Sequence, residues 1–190
     1  HWLHNALVTV NGQKMSKSRG NGVLASDLLG KARPLVARYA LASAHYRSEL
    51  DLHDGFLAEA GAALGRIEGF LTRAARECGD VVVGALPVAF ESAMDDDLGV
   101  PGALAVIHDT VRAGNHAADA GDTGAVRTAA SEVRAMMATL GMDPLDAPWL
   151  SRGDQTLVSD VVVNILAARQ AAKTESRFDV ADALRDALDA

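Results

Sequence analysis

LAEAGAALGRIEGFLTRAARECG, residues 57–79, decides what kind of fold this chain adopts. Leu57, Ala60, Leu64, Ile67, Leu71 and Ala74 return every three or four residues. That spacing puts them on one face of a helix of about six turns. Gly79 then stands where a helix of this kind stops. A stripe of this width needs a partner helix to cover it, so the neighbouring sequence has to supply more helices.

It does so in both directions. Downstream, Val81 to Val83 reads as a connection and Pro87 to Met94 as a brief helix. Asp95 to Asp97 leads into Gly99-Val100-Pro101-Gly102, read as a turn. Leu104, Ile107 and Val111 define a helix that closes near Asp119 to Gly121. Asp122 or Thr123 can cap its successor, whose stripe is Val126, Ala130, Val133, Met137 and Leu140. Gly141 to Gly153 reads as a loop with Trp149 and Leu150 folded back, before helices over Leu157–Leu166 and Phe178–Leu188. Upstream, Pro34 suits the first turn of a helix running to about His45, and Ser26 is a candidate cap for a short helix ending at Leu29. Ahead of these, Ala6 to Val10 is a short β-branched strand, and Asn11-Gly12 is a tight-turn pair. The expected fold class is mainly α: a short β and loop segment followed by an α-helical bundle.

Composition agrees. Hydrophobic residues make up 49% of the 190, enough for a core, while aromatics are only 4%, which favours Ala/Leu/Val helix packing over sheet sandwiches. Cys78 is the single cysteine, so an internal disulfide and a four-cysteine zinc site are both excluded. No stretch approaches the roughly 18 apolar residues of a membrane span, and a cytoplasmic location is expected. The chain opens on His1 rather than Met, as a piece of a longer protein would. Net charge is −7, but it is unevenly placed. Residues 1–50 hold seven Lys or Arg against two acids, while residues 51–190 hold eleven against twenty-three. A basic front on an acidic tail suits a local phosphate contact, not a broad electrostatic footprint.

That front contains Lys14-Met15-Ser16-Lys17-Ser18, followed by Arg19-Gly20-Asn21. Lys14 to Asn21 lacks apolar periodicity and is expected as an exposed loop. When a nucleoside triphosphate is attacked at its α-phosphate, charge builds on the departing pyrophosphate, and an ammonium beside those oxygens stabilises it. Lysine is a compact charge on a flexible stem, and Ser16 and Ser18 can add hydroxyl bonds. Met15 offers an apolar foothold, and Gly20 lets the backbone turn sharply. On charge spacing alone, a solvated basic hairpin is the somewhat better explanation of the segment.

The loop matches, residue for residue, the signature loop of class I aminoacyl-tRNA synthetases. Further stretches resemble the cysteinyl-tRNA synthetase family: His1-Trp2-Leu3-His4-Asn5, Arg33-Pro34-Leu35-Val36-Ala37-Arg38-Tyr39, Ser43 to Ser48, Phe90-Glu91-Ser92-Ala93-Met94-Asp95-Asp96-Asp97-Leu98, and Ala181 to Arg185. The resemblance implies that Lys17, assisted by Lys14, contacts the ATP phosphates during adenylate formation, with Met15, Ser16 and Ser18 shaping the loop. It implies three regions: 1–24 as the end of the catalytic domain, 25–52 as connecting helices that touch the tRNA stem, and 53–190 as a helical tRNA-binding bundle of the DALR type. Arg38, His45 and Arg47 would be the stem contacts, and tRNA(Cys) the partner; packing with a surface salt bridge is the equal alternative for His45 and Arg47. The family's nucleotide-binding half and its thiol-selecting zinc cluster do not lie in these residues, so this stretch alone is expected to be monomeric, to bind no zinc and to be inactive. Two other readings stay open: the related ligase that joins cysteine to an amino-sugar in mycothiol synthesis, and a non-catalytic helical interaction domain.

The remaining chemistry-bearing residues are weaker. His1 and His4 have no nearby Cys, Asp or Glu to complete a metal site. Asp95 to Asp97 reads as turn and helix-end charge, and Arg66, Arg73 and Arg76 as a solvated face beside Glu59, Glu68 and Glu77.

Overall fold

Strand β1 (Val8–Val10) turns through Asn11 and Gly12 into β2 (Gln13–Lys14), pairing Thr9 with Lys14 and Val10 with Gln13. Asn11 and Gly12 sit at φ 49° and 74°, the left-handed pair that a two-residue hairpin requires. The structure is a computed structural model describing residues 2–150; the side chains of Lys17 and Leu150, and the helices expected over Leu157–Leu166 and Phe178–Leu188, lie outside the described residues. The chain then forms α1 (Ala25–Leu29), α2 (Pro34–Ala42) and β3 (Leu50–Asp51). β3 runs parallel to β1, Val8 opposite Leu50 and Thr9 opposite Asp51, so the strand order is β2-β1-β3.

Five further helices follow: α3 (Phe56–Cys78), α4 (Val88–Asp95), α5 (Val100–Asp119), α6 (Thr123–Thr139) and α7 (Ala147–Leu150). α3 packs against α2, α5 and α6, and α5 also packs along α4 and α6. Leu64, Ile67 and Ala74 of the α3 stripe are fully buried, as are Ile107 of α5 and Val126, Ala130, Val133 and Met137 of α6. Phe70, next to Leu71, widens the α3 face and meets α5 where Gly114 stands; a Cβ at that position would lie 2.3 Å from the Phe70 ring. The absent side chain is what lets these two helices close over the aromatic.

Helix ends follow local chemistry. Asp122 caps α6, its carboxylate accepting from Ala125 N at 2.9 Å. α1 begins two residues earlier than the Ser26 cap implies. Asp27, in its first turn, accepts from Leu24 N at 2.9 Å and starts the helix at Ala25. α2 stops at Ala42 rather than near His45, with Ser43 Oγ turned back to Ala40 O at 2.8 Å. Pro101 and Gly102 lie inside the first turn of α5 rather than in a turn before it, because a first-turn N–H has no helical acceptor and proline costs nothing there. α7 interrupts the loop expected over Gly141 to Gly153, and Trp149 does pack onto the core.

One buried ion pair ties the end of the bundle together. Asp143 is fully buried, and Arg134 of α6 reaches it with Nε at 3.0 Å and Nη2 at 2.9 Å. The second Asp143 oxygen accepts from Leu145 N at 3.1 Å, and Arg134 Nη1 also donates to Val81 O. Both oxygens of this carboxylate therefore have donors and its charge has a partner, which is the condition for tolerating its burial.

Candidate functional site

The loop starts where β2 ends and is fastened at two places. At its base, Asp51 of β3 accepts from Thr9 Oγ1 at 2.7 Å and from Gly12 N at 2.9 Å through the same oxygen. The Gly12 amide, with the Thr9 hydroxyl second, holds the Asp51 carboxyl below the usual carboxylate range. One side chain thus locks the turn of the hairpin to the parallel strand beside it. At its far end, Asn21 closes the loop on itself: Oδ1 accepts from Ser16 N at 2.9 Å, and Nδ2 donates to Lys14 O at 3.2 Å.

Between these fastenings, the backbone of Lys17–Arg19 makes one 3-10 turn, and Arg19 N donates to Ser16 O at 3.2 Å. Ser16 Oγ and Ser18 Oγ stand 3.3 Å apart, so two hydroxyls present themselves together. Met15 packs inward far enough for Val23 N to meet its sulfur at 3.4 Å. Gly20 takes φ 67° and reverses the chain. The Lys14 side chain is exposed and has no acidic partner among the described residues. The segment is therefore a short loop with a fixed frame, an exposed cation and paired hydroxyls.

Arg38, His45 and Arg47 are drawn into contacts within the chain. Arg38 Nη2 donates to Leu140 O at 2.9 Å, placing a guanidinium at the carbonyl end of α6, where positive charge is favoured. His45 and Arg47 gather with Tyr46 around Asp97. Arg47 Nε lies 2.7 Å from Asp97 Oδ2, Tyr46 Oη donates to Asp97 Oδ1 at 2.5 Å, and His45 Nε2 is 2.8 Å from Asp97 O. The Tyr46 hydroxyl, then Arg47, holds the Asp97 carboxyl low, and Asp97 in turn pushes the Tyr46 hydroxyl up. Asp97 and Leu98 both sit at positive φ, 52° and 55°, a rare pair for residues with side chains. The Asp97 contacts hold that turn at the start of α5. Part of the Asp95–Asp97 run is therefore a structural anchor.

Asp51 and Asn21 are the site residues that sequence reasoning passed over. An Asp in a short stretch before a helix carries no periodic signal. Asn21 was visible only as the neighbour of the loop. Among the described residues, no three His, Cys, Asp or Glu side chains converge as a metal site needs. No helix among them is long and apolar enough to cross a membrane.

Comparisons with known proteins converge on one family. Residues 1–62 match the class I (C) tRNA synthetase catalytic domain, and residues 89–144 match the DALR domain. A cysteine–tRNA ligase of Clavibacter sepedonicus is 50% identical over 202 residues, covering 99% of this chain and 42% of the relative. One from Leifsonia xyli subsp. xyli is 50% identical over 196 residues, covering 99% and 41%. One from Streptomyces coelicolor is 47% identical over 195 residues, covering 99% and 32%. The chain spans less than half the length of these relatives. One stretch of it matches the catalytic-domain model and another the DALR model, and with these relatives covering 99% of its length the chain belongs to the cysteinyl-tRNA synthetase family.

Proposed function

We propose that this chain supplies the ATP-phosphate loop and the tRNA-stem-binding helices of a ligase that activates L-cysteine with ATP and transfers it to tRNA(Cys). The observation that carries the reading is the loop itself, an exposed lysine segment with two adjacent hydroxyls, framed by Asp51 and Asn21. When the cysteine carboxylate attacks the α-phosphate, the bond to the bridging oxygen breaks and pyrophosphate leaves with added charge. Lys17, assisted by Lys14, stabilises that charge, and the Ser16 and Ser18 hydroxyls donate to phosphate oxygens. Fixing the loop at its base and its end removes part of the ordering cost at the moment of reaction. Residues 1–24 then serve the chemistry, residues 25–52 connect, and residues 53–190 hold the tRNA. Arg38, His45 and Arg47 act there chiefly by setting the shape of the junction, since each already has a partner within the chain. The zinc that selects the thiol in this family belongs to sequence outside this stretch, and no step of this chain runs through it. The work takes place in the cytoplasm, where tRNA is charged.

The DALR match over residues 89–144 favours tRNA over an amino-sugar as acceptor, because a small-molecule ligase has no use for stem-binding helices. The test uses the longer protein that carries this sequence. It should exchange pyrophosphate into ATP only when L-cysteine is present and should charge tRNA(Cys). Exchange without cysteine dependence, or transfer to an amino-sugar and not to tRNA, rules the reading out.

A further inference from the structure

Between α3 and α5 lies a groove of about 540 Å³ whose lining is Arg66, Gly69, Phe70, His108, Val111, Arg112 and Asn115. Its polar groups are cationic or neutral, which is unusual in a region where acids outnumber bases by twenty-three to eleven. Arg66 is exposed and has no acidic partner among the described residues. Most arginines of the described bundle do have a specific contact: Arg73 with Glu77 and Asp119, Arg127 with Asp80 O, Arg134 with Asp143. Arg112 pairs with Asp109 at 2.8 Å, but that pair is solvent-exposed on both sides, the kind worth at most about 1 kcal/mol and readily opened.

We propose that this groove binds a phosphodiester of an RNA backbone, with Arg66 and Arg112 as the charged contacts and His108 and Asn115 as neutral ones. The inference rests on the tRNA reading above and places one of its contacts. Four features support it. First, two guanidinium groups from facing helices flank one groove, and guanidinium geometry suits phosphate oxygens. Second, His108 is anchored, not loose: its Nε2 lies 2.9 Å from Tyr39 Oη of α2, which fixes the imidazole beside the arginines. Third, burial and then the charges of Arg66 and Arg112 hold the His108 imidazole below its ordinary range, with Asp109 acting the other way, so both guanidinium groups lie close enough to act on the groove's imidazole. Fourth, Gly69 leaves the α3 side of the groove open, since a Cβ there would meet nothing within 4 Å. An α3 helix with a bulkier residue at that point would fill the space that a sugar-phosphate needs.

The test uses the whole chain, a fluorescein-labelled RNA hairpin and, separately, inorganic phosphate. Arg66→Gln and Arg112→Gln should each weaken hairpin binding roughly 5- to 10-fold and lower the salt slope of binding by about one. Gly69→Leu should weaken it without lowering stability, because leucine is the better helix former and the site is open. Arg76→Gln removes the same charge from α3 outside the groove and should leave binding nearly unchanged. The groove is not the contact if its three variants bind the hairpin like the parent chain, if Arg76→Gln costs as much as Arg66→Gln, or if the parent chain does not bind the hairpin. Phosphate shifting the His108 resonance with no competition from the hairpin would reassign the groove to a free anion and overturn the RNA proposal. None of these outcomes depends on cysteine activation, so the groove can fail while the ligase reading stands.

Discussion

Residues 8–21 and residues 56–142 belong to one chain but are held by different physics. Between Val8 and Asn21, Thr9 is the only buried residue among the described side chains, and the segment keeps its shape through bonds from two polar residues, Asp51 and Asn21. From Phe56 to Met142, shape comes from a continuous apolar core in which Leu64, Ile67, Ile107, Val126, Val133 and Met137 have no measurable exposure. Apolar burial is strong, non-directional and cooperative, whereas a few exposed hydrogen bonds are each worth about 1 kcal/mol and break singly. The helices therefore form the more stable part of the molecule, and the loop side is the part whose contacts open at lower cost.

The contrast is easiest to break from the bundle side. Asp143→Ala should cost the most, about 3–5 kcal/mol, because it leaves the Arg134 guanidinium without its carboxylate in a nearly closed site. Chemical denaturation of the chain should show a lower midpoint with an unchanged slope; a loss under 1 kcal/mol would mean that solvent reaches Arg134. Gly114→Ala should follow, at about 1–3 kcal/mol, even though alanine is the better helix former. The new methyl collides with the buried Phe70 ring, and relief by Phe70→Leu in the double variant would identify that collision as the cause.

Changes on the loop side should barely register in global stability. Asp51→Asn is expected to leave the thermal midpoint within about 2 °C while speeding amide exchange at Gly12, since an Asn carbonyl is a weaker acceptor than a carboxylate. An equal loss in both measurements would show that hairpin and bundle unfold as one unit. The smallest effect is that of pH. The His108 imidazole is held below its ordinary range, so on acidification the unfolded chain takes up that proton first, and stability should begin to fall as pH drops through about 6.5. Tyr39, Arg66, Arg112 and Asp109 are the titratable and charged groups facing it. Asp51 and Asp97 are also held low, and their contributions, present above about pH 4, should vanish as pH falls through their native values. His108→Gln should flatten only the first of these two declines in a series of thermal melts.

How much of this was readable in the amino-acid order follows the same division. The bundle was legible because apolar periodicity is a direct record of which face is covered; the α3 stripe predicted a helix from Leu57 to near Gly79, and the helix runs Phe56–Cys78. The Asn11-Gly12 turn was legible because few residue pairs accept two positive φ values. What escaped was long-range and polar. Nothing local announces that Asp51 will reach back across 39 residues to Gly12, that Asp97 will collect Tyr46 and Arg47, or that Asp143 will be buried on Arg134. The α1 start was missed for a related reason: its cap position is Leu24, which offers no capping side chain, and Asp27 acts from the third helical residue back onto the Leu24 amide. The lysine motif named the candidate site, but the frame that holds it came from residues that carry no motif.

The central claim is that the lysine loop acts on the transition state of ATP activation and not on folding or ground-state binding. The direct measurement is single-turnover formation of cysteinyl-adenylate by the longer protein that carries this sequence, comparing Lys17→Ala with the parent. The account predicts a rate lower by about 10²-fold or more, with the Kd for ATP changed by less than about 3-fold and the thermal midpoint unmoved. An unchanged rate, or a loss lying wholly in the Kd for ATP, would contradict it.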